Sequence, residues 1–309
     1  PLQTTALYDS FVAQGAVMGD SWGMETPLWF APSRAEAHDV VSFHRSNDFP
    51  HIGAECRAVR EAVGVTEIAN FAKYVITGPG AEAWLERVMT NTMPRTGRIV
   101  LTPMLNHQGK LIGDFTIAKA GEGRFMMWGS SQAQVYHMRW FETTLPADGS
   151  VRVEPLGMKM VGLSIAGPKS RELLQRLTDD DVSNAAFRFM DYREMEVATV
   201  RAQVNRITYT GDLGYEIWVA PEYQKRLYES IRTAGADLGL RNFGMRALLC
   251  LRLEKNFGTW YREFRPIYGP FEAGLDRFVK LDKPDFIGKA AALKEKIEGP
   301  KRTRIFMVV

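Results

Sequence analysis

The sequence predicts an α+β fold with antiparallel sheets, and two observations carry that reading. First, a strand that breaks at Gly-Pro and continues as an amphipathic helix occurs twice. The breaks lie at Gly78-Pro79 and Gly167-Pro168, and Leu85 and Leu174 share the same offset, as do Val88 and Leu177. A third, looser copy runs through 215–220, Pro221 and 222–234. Second, hairpin signals separate these units, so strands turn back beside themselves and do not cross over as in one doubly wound parallel sheet.

The elements follow in order. Residues 1–37 are irregular by pattern, with Trp22, Trp29 and Phe30 among Gly and Pro. They read either as an arm wrapped on its own domain or as a connector from an upstream one. Residues 51–63 interleave Glu55, Arg57, Arg60 and Glu61 with Ala54, Val59 and Val63, the spacing of a helix. A strand at 74–77 breaks at Gly78-Pro79, and a helix with Pro near its start covers 80–89. Strands follow at 98–105 and 110–119, joined by the turn signal His107-Gln-Gly109. The tight turn Ala120-Gly-Glu-Gly123 leads into a partner strand over 124–129. A strand at 160–165 and a helix at 169–177 repeat the first unit. Further helices are expected over 222–234, 241–255 and 289–297, and a strand over 304–309.

Composition sets the class. The 309 residues are 45% hydrophobic and 24% charged, which is globular and large enough for two domains or so. Thirty-nine basic and 36 acidic residues give +3, with no long basic stripe, so nucleic acid is not an expected partner. No apolar run approaches the ~18–20 residues that span a bilayer, so no membrane is expected. The first 30 residues contain Asp and Glu and lack a signal-peptide pattern. Cys56 and Cys250 read as buried thiols in a reducing compartment, cytoplasm or, in a eukaryote, mitochondrial matrix.

Several chemistries lack their signatures. There is no Gly-x-Gly-x-x-Gly after a strand, no Walker loop, no Cys-x-x-Cys, no His-Glu-x-x-His and no Gly-x-Ser-x-Gly elbow. The five histidines, at 38, 44, 51, 107 and 137, lack metal-ligand spacing, and no metal is expected. Two carboxylates stand out instead. Asp114 sits in the apolar strand Leu111-Ile-Gly-Asp-Phe-Thr-Ile117, and Glu216 in Gly214-Tyr-Glu-Ile-Trp-Val219. A carboxylate in an apolar strand is costly to bury unless paired or bound. Each reads either as a solvent-facing strand residue or as a site; alternation favours the former for Asp114.

Two longer motifs carry a resemblance. Tyr209-Thr-Gly-Asp-Leu-Gly-Tyr-Glu-Ile217 resembles the Tyr-Thr-Gly-Glu-x-Gly-x-Glu signature of the glycine-cleavage T-protein (aminomethyltransferase) family. Leu101-Thr-Pro-Met-Leu-Asn-His-Gln-Gly-Lys-Leu-Ile-Gly-Asp114 resembles its other marker, a strand ending in Asn, a Gly turn, then the catalytic Asp. The likeness also covers 71–80 and 252–255 and extends from about residue 38 to about 300. Gln14-Gly-Ala-Val-Met-Gly19 with the Trp22 to Phe30 stretch, and Arg252-Leu-Glu-Lys255 before Trp260, look more like the dimethylglycine and sarcosine dehydrogenase and oxidase branch.

The resemblance implies a T-protein-like folate-binding fold. It assigns 1–37 to a connector from an upstream FAD domain, 38–63 plus 151–278 to a first folate-binding subdomain, and 64–150 to a second. Residues 279–309 would lead into a C-terminal barrel that is cut away. The implied activity is capture of an iminium or formaldehyde unit from a methylated amine as 5,10-methylenetetrahydrofolate. The cofactor is tetrahydrofolate, with FAD only in the upstream domain of the same polypeptide. Asp114 takes the catalytic role near N10 and Glu216 holds the pterin by a bidentate contact. Tyr209, Leu101, Phe71, Trp128 and Ser130 align with the folate pocket. Phe71 and Trp128 read equally as core aromatics, and Arg252 either pairs with the folate carboxylate or is a structural partner of Glu254, the second being favoured. The alternatives are a glycine-cleavage aminomethyltransferase, a folate-dependent O- or S-demethylase, and a folate-binding accessory protein without activity.

Overall fold

The structure is a computed structural model that describes residues 2–130, 133–305 and 307. The chain divides into two compact units, one from Pro1–Asn70 and Met158–Phe257, the other from Phe71–Gly157 and Gly258–Val309. Residues 258–278 thus group with the second unit, whereas the sequence placed them with the first. The cause is apolar: Trp260, Phe264, Phe271 and Leu275 join the core of the second unit.

The first unit opens on α1 (Tyr8–Ala13) and a hairpin of β1 (Ala16–Asp20) and β2 (Glu25–Phe30), so the expected irregular arm is ordered. Its turn uses Trp22 and Gly23, both at positive φ, which a Trp rarely adopts and which hid the hairpin from pattern reading. Leu7, Phe11, Ala16 and Met24 bury into the unit's main core. Next come α2 (Phe49–Glu61) and β3 (Val63–Glu67).

The second unit then holds β4 (Ala72–Thr77), α3 (Ala81–Val88), β5 (Ile99–Leu105), β6 (Leu111–Gly121), β7 (Arg124–Gly129), α4 (Gln134–Thr144) and β8 (Arg152–Pro155). Its five strands pair antiparallel in the order β5-β6-β7-β4-β8. Alternation decides the faces: Phe115 and Ile117 of β6, Phe125 and Met127 of β7, and Tyr74 and Ile76 of β4 enter one core with α3 and α4.

The chain returns to the first unit as β9 (Val161–Ala166), α5 (Ser170–Gln175), β10 (Tyr192–Val197), β11 (Val200–Asn205), β12 (Gly214–Val219), α6 (Gln224–Ala234), β13 (Leu240–Asn242) and α7 (Met245–Glu254). Six strands order as β10-β11-β12-β9-β3-β13, antiparallel except for the parallel pair β13 and β3. The expected helix over 241–255 therefore begins as an edge strand. Leu227, Tyr228 and Ile231 of α6 pack on one sheet face with Leu163, Ile165, Tyr215 and Ile217. Finally α8 (Lys289–Glu298) belongs to the second unit. The strand expected over 304–309 lies partly outside the described residues, and Arg304, Ile305 and Met307 form none.

The strand–Gly-Pro–helix repeat is structural. Gly78 and Gly167 adopt φ of +123° and +130°. A Cβ would stand 2.1 Å from the Ser150 carbonyl oxygen at Gly78 and 2.5 Å from that of Ala62 at Gly167. Only glycine meets both the dihedral and the close backbone at each break.

Candidate functional site

In the second unit, β5 and β6 are joined by Asn106-His-Gln-Gly109. Asn106 Oδ1 accepts the backbone N–H groups of Gln108 and Lys110, at 3.0 and 2.9 Å, and Gly109 supplies φ +71°. This turn fixes the register in which Asp114 faces Pro103, and Thr116 faces both Leu101 of β5 and Trp128 of β7. Trp128 in turn faces Lys73 of β4. Alternation then puts Leu101, Asp114, Thr116, Trp128 and Lys73 on the face opposite the core. Phe71 and Ser130 directly flank β4 and β7 at the same end of the sheet, each two residues from a member of that face.

That face is buried where Lys73, Ala118 and Trp128 lie, the first two fully and Trp128 with 3% exposed, whereas Leu101, Asp114 and Thr116 are half-buried. Asp114 itself is half-buried, between the solvent-facing reading and a closed site. Its Oδ1 is buried with no hydrogen-bond partner among the described residues. Desolvation pushes the carboxyl up to about 7, opposed only by its own backbone N–H. No lysine, arginine or histidine forms an ion pair with it among the described residues. Lys73 was not foreseen as a member of this face, because the pattern reading began that strand at Tyr74, whereas β4 begins at Ala72.

Behind Asp114, on the core face, His137 of α4 is fully buried. Its Nε2–H donates to the Ile112 carbonyl at 3.0 Å and its Nδ1 lies 3.4 Å from the Tyr74 hydroxyl. Burial holds the imidazole down at about 4, so it is neutral at pH 7. It braces β6 one residue before Gly113, where a Cβ would stand 2.8 Å from Nε2.

In the first unit, Glu216 lies mid-sheet on β12, opposite Asn205 of β11 and Ser164 of β9. Ser164 faces Thr66 of β3, so four polar side chains cross the sheet in one row on the face away from the main core. Asn205, Ser164 and Thr66 are all buried. Asn205 Nδ2 donates to Glu216 Oε2 at 3.3 Å, while Asn205 Oδ1 is buried without a partner among the described residues. Desolvation pushes Glu216 up to about 7, against hydrogen bonds from Asn205 and Trp218. It too lacks an ion-pair partner among the described residues. Asn205 was missed in the sequence, although Gln203 and Asn205 alternating with buried apolar residues of β11 marked a polar face.

The loop before β12 sets Glu216 in place. Thr208 Oγ1 donates to the Asp212 carbonyl at 2.7 Å, and the Gly167 N–H and Ser170 hydroxyl donate to that of Leu213. Tyr209 is half-buried and stacks on Phe257, ring centroids 6.2 Å apart. Arg252 is 2% exposed and donates to the Phe257 carbonyl at 2.8 Å, so Tyr209 and Arg252 converge on one residue. Glu254, the structural partner considered for Arg252, engages Arg60. Of the two thiols, Cys56 is half-buried, its pKa pushed up to about 12 by burial, but Cys250 is exposed, contrary to expectation. Among the described residues no three His, Cys, Asp or Glu side chains are grouped to hold a metal ion, and no helix is long and apolar enough to cross a membrane.

Residues 7–283 match the family model of the GCVT N-terminal domain. The chain is 35% identical over 294 residues to mitochondrial dimethylglycine dehydrogenase of Mus musculus, covering 94% of this chain and 34% of that protein. It is 32% identical over 282 residues to an aminomethyltransferase of Caldanaerobacter subterraneus, covering 90% of this chain and 75% of that protein. The crystal structure of glycine cleavage system aminomethyltransferase T from Bartonella henselae superposes with a TM-score of 0.83 at 22% identity, over 99% of this chain and 78% of that one. The chain spans only about a third of the length of the dehydrogenase it matches.

Proposed function

Since the chain belongs to the GCVT N-terminal domain family, that of the glycine-cleavage T-protein, we propose that it is the tetrahydrofolate-binding, one-carbon-transfer part of an N-methyl amine oxidoreductase of dimethylglycine or sarcosine type. The observation that carries this reading is the pair of carboxylates, Asp114 and Glu216. Each is set on the non-core face of its own sheet, lifted to about 7, and without a cationic partner among the described residues. Structural carboxylates are normally paired; carboxylates kept costly and unpaired suit a ligand that brings its own donors or positive charge.

The residues fit a reduced pterin. Glu216 accepts an amino group and a ring N–H side by side, which replaces the hydration it lost on burial. Asn205 keeps Oε2 oriented and offers its own unpartnered Oδ1. In the first unit Tyr209 would stand with Glu216 as a ligand contact, its loop held by Arg252 through Phe257; in the second, Leu101, Phe71, Trp128 and Ser130 would stand with Asp114. Tetrahydrofolate supplies the two amine nitrogens that take up the one-carbon unit. Asp114, half-buried and poised near neutrality, holds the proton that the attacking amine gives up, and its charged form stabilises a cationic iminium. FAD, the methylated amine substrate and the oxidation step belong to a flavin domain on the same polypeptide, and the location is cytoplasm or mitochondrial matrix.

The test is formation of 5,10-methylenetetrahydrofolate from formaldehyde and tetrahydrofolate. The chain accelerates it above the spontaneous rate, and Asp114→Asn loses most of that acceleration, about a hundredfold. Equal rates for the two proteins contradict the assignment. The 75% coverage of an aminomethyltransferase favours one second reading, a glycine-cleavage aminomethyltransferase, which a lipoyl-protein-dependent assay separates.

A further inference from the structure

At the β13 edge of the six-stranded sheet the first unit holds a cavity of about 380 Å³. It lies three strands from β12, roughly 14 Å away by ordinary strand spacing. Its walls come from five elements: Gln14 after α1, the apolar end of β2 at Phe30, His51 and Glu55 of α2, Arg232 of α6, and Arg241 and Asn242 of β13. Nothing in the folate reading uses any of them.

The lining is built, and its charges are unbalanced. Gln14 Oε1 accepts from Asn242 Nδ2 at 3.1 Å, and the single Tyr228 O–H is shared between Gln14 Oε1 at 3.1 Å and Asn242 Oδ1 at 3.0 Å. His51 is stacked on Trp29 with centroids 5.4 Å apart. Glu55, 2% exposed, accepts the backbone N–H groups of Phe30 and Gly244, at 2.7 and 2.8 Å. Each carboxylate oxygen keeps a second acceptor position. Arg232 and Arg241, by contrast, form neither a hydrogen bond nor a salt bridge with a described residue.

We propose that this cavity is a second ligand site that takes a small acidic amino acid. Two guanidiniums meet two carboxylates, and Glu55 meets the ammonium group. Burial lifts Glu55 to about 7, so above that pH the charge count fits in both directions: two positive groups and one negative on the wall, two negative and one positive on the ligand. Arg guanidiniums suit carboxylates because their N–H fork matches the two oxygens. The volume accepts such a molecule with a few waters beside it.

The probe is L-glutamate, titrated calorimetrically into the 309-residue chain, with glutarate and inorganic phosphate as comparisons. Glutamate is expected to bind with a Kd of about 1 mM or tighter. Arg232→Ala with Arg241→Ala should weaken it at least about tenfold, and both side chains are exposed, so the double variant keeps its fold. Glutarate, which lacks the ammonium, should bind at least about tenfold more weakly than glutamate. The proposal is overturned by no heat with glutamate up to about 10 mM, by glutarate or phosphate binding as well as glutamate, or by unchanged affinity in the double variant. Folate binding by the same double variant is expected to be unaltered, so failure here is distinguishable from failure of the folate reading.

Discussion

Glu216 is the residue that would hold the ligand's donors, and its protonation sets how binding responds to pH. Burial lifts it from 4.5 to about 7 in the free protein. A ligand that donates two N–H groups needs the ionised form, so binding releases a proton. Folate affinity should therefore rise with pH by up to about tenfold per unit below pH 7 and level off above it. Titrations at pH 6, 7 and 8 check this; affinity that falls with pH contradicts it. For Asp114 the linkage acts on stability. Its folded-state value is raised from 3.8 to about 7, so across that window the folded chain binds the extra proton and stability falls as pH rises. Asp114→Asn removes the penalty and should stabilise the chain at pH 8 by about 1–3 kcal/mol, read by denaturant unfolding. A residue kept for stability would give the opposite sign. Both carboxylates were legible in the sequence because they interrupt apolar strands. That Asp114 is half-buried with its Oδ1 closed off was not legible, since alternation tells which face a residue takes but not what covers it.

Among the elements, the joints carry the clearest energetics. Lys283 ends α3: its Nζ donates to the carbonyls of Glu86, Met89 and Asn91, at 2.7 to 2.9 Å, and pairs with the Glu86 carboxylate. With Lys283 5% exposed, Lys283→Met leaves three carbonyls and a carboxylate without their cation. It should cost about 3–5 kcal/mol in thermal or denaturant unfolding. The hairpin of β10 and β11 shows the converse. Val197 pairs with Val200, and the two residues between them, Ala198 and Thr199, have φ of +53° and +65°. Such a turn favours Asn-Gly, so replacing Ala198-Thr199 by Asn-Gly should stabilise the chain by about 1 kcal/mol. The same fact explains why this hairpin was illegible: its turn residues carry no turn chemistry. The Gly-Pro joints were legible because Gly78 and Gly167 answer to a backbone demand that no other residue meets. The arm hairpin, turning on Trp22, and the three-residue strand β13, too short for a period, were not.

On the scale of the whole molecule, the α+β class and the repeated unit followed from pattern, and the family followed from two motifs. Division into units did not follow from local signals, because each unit draws on two separate stretches of chain. Residues 258–278 joined the second unit through aromatic burial, which becomes visible only once the core is assembled. The central claim, that this chain holds a reduced folate through Glu216, is tested most directly by calorimetric titration of 5-formyltetrahydrofolate into the parent chain, Glu216→Ala and Asp114→Ala. The account predicts that the parent binds, that Glu216→Ala loses about ten- to a hundredfold in affinity, the worth of a charge-assisted bidentate contact, and that Asp114→Ala keeps a good part of it. A well-folded parent that binds no folate, or a Glu216→Ala variant that binds as tightly as the parent, would contradict it.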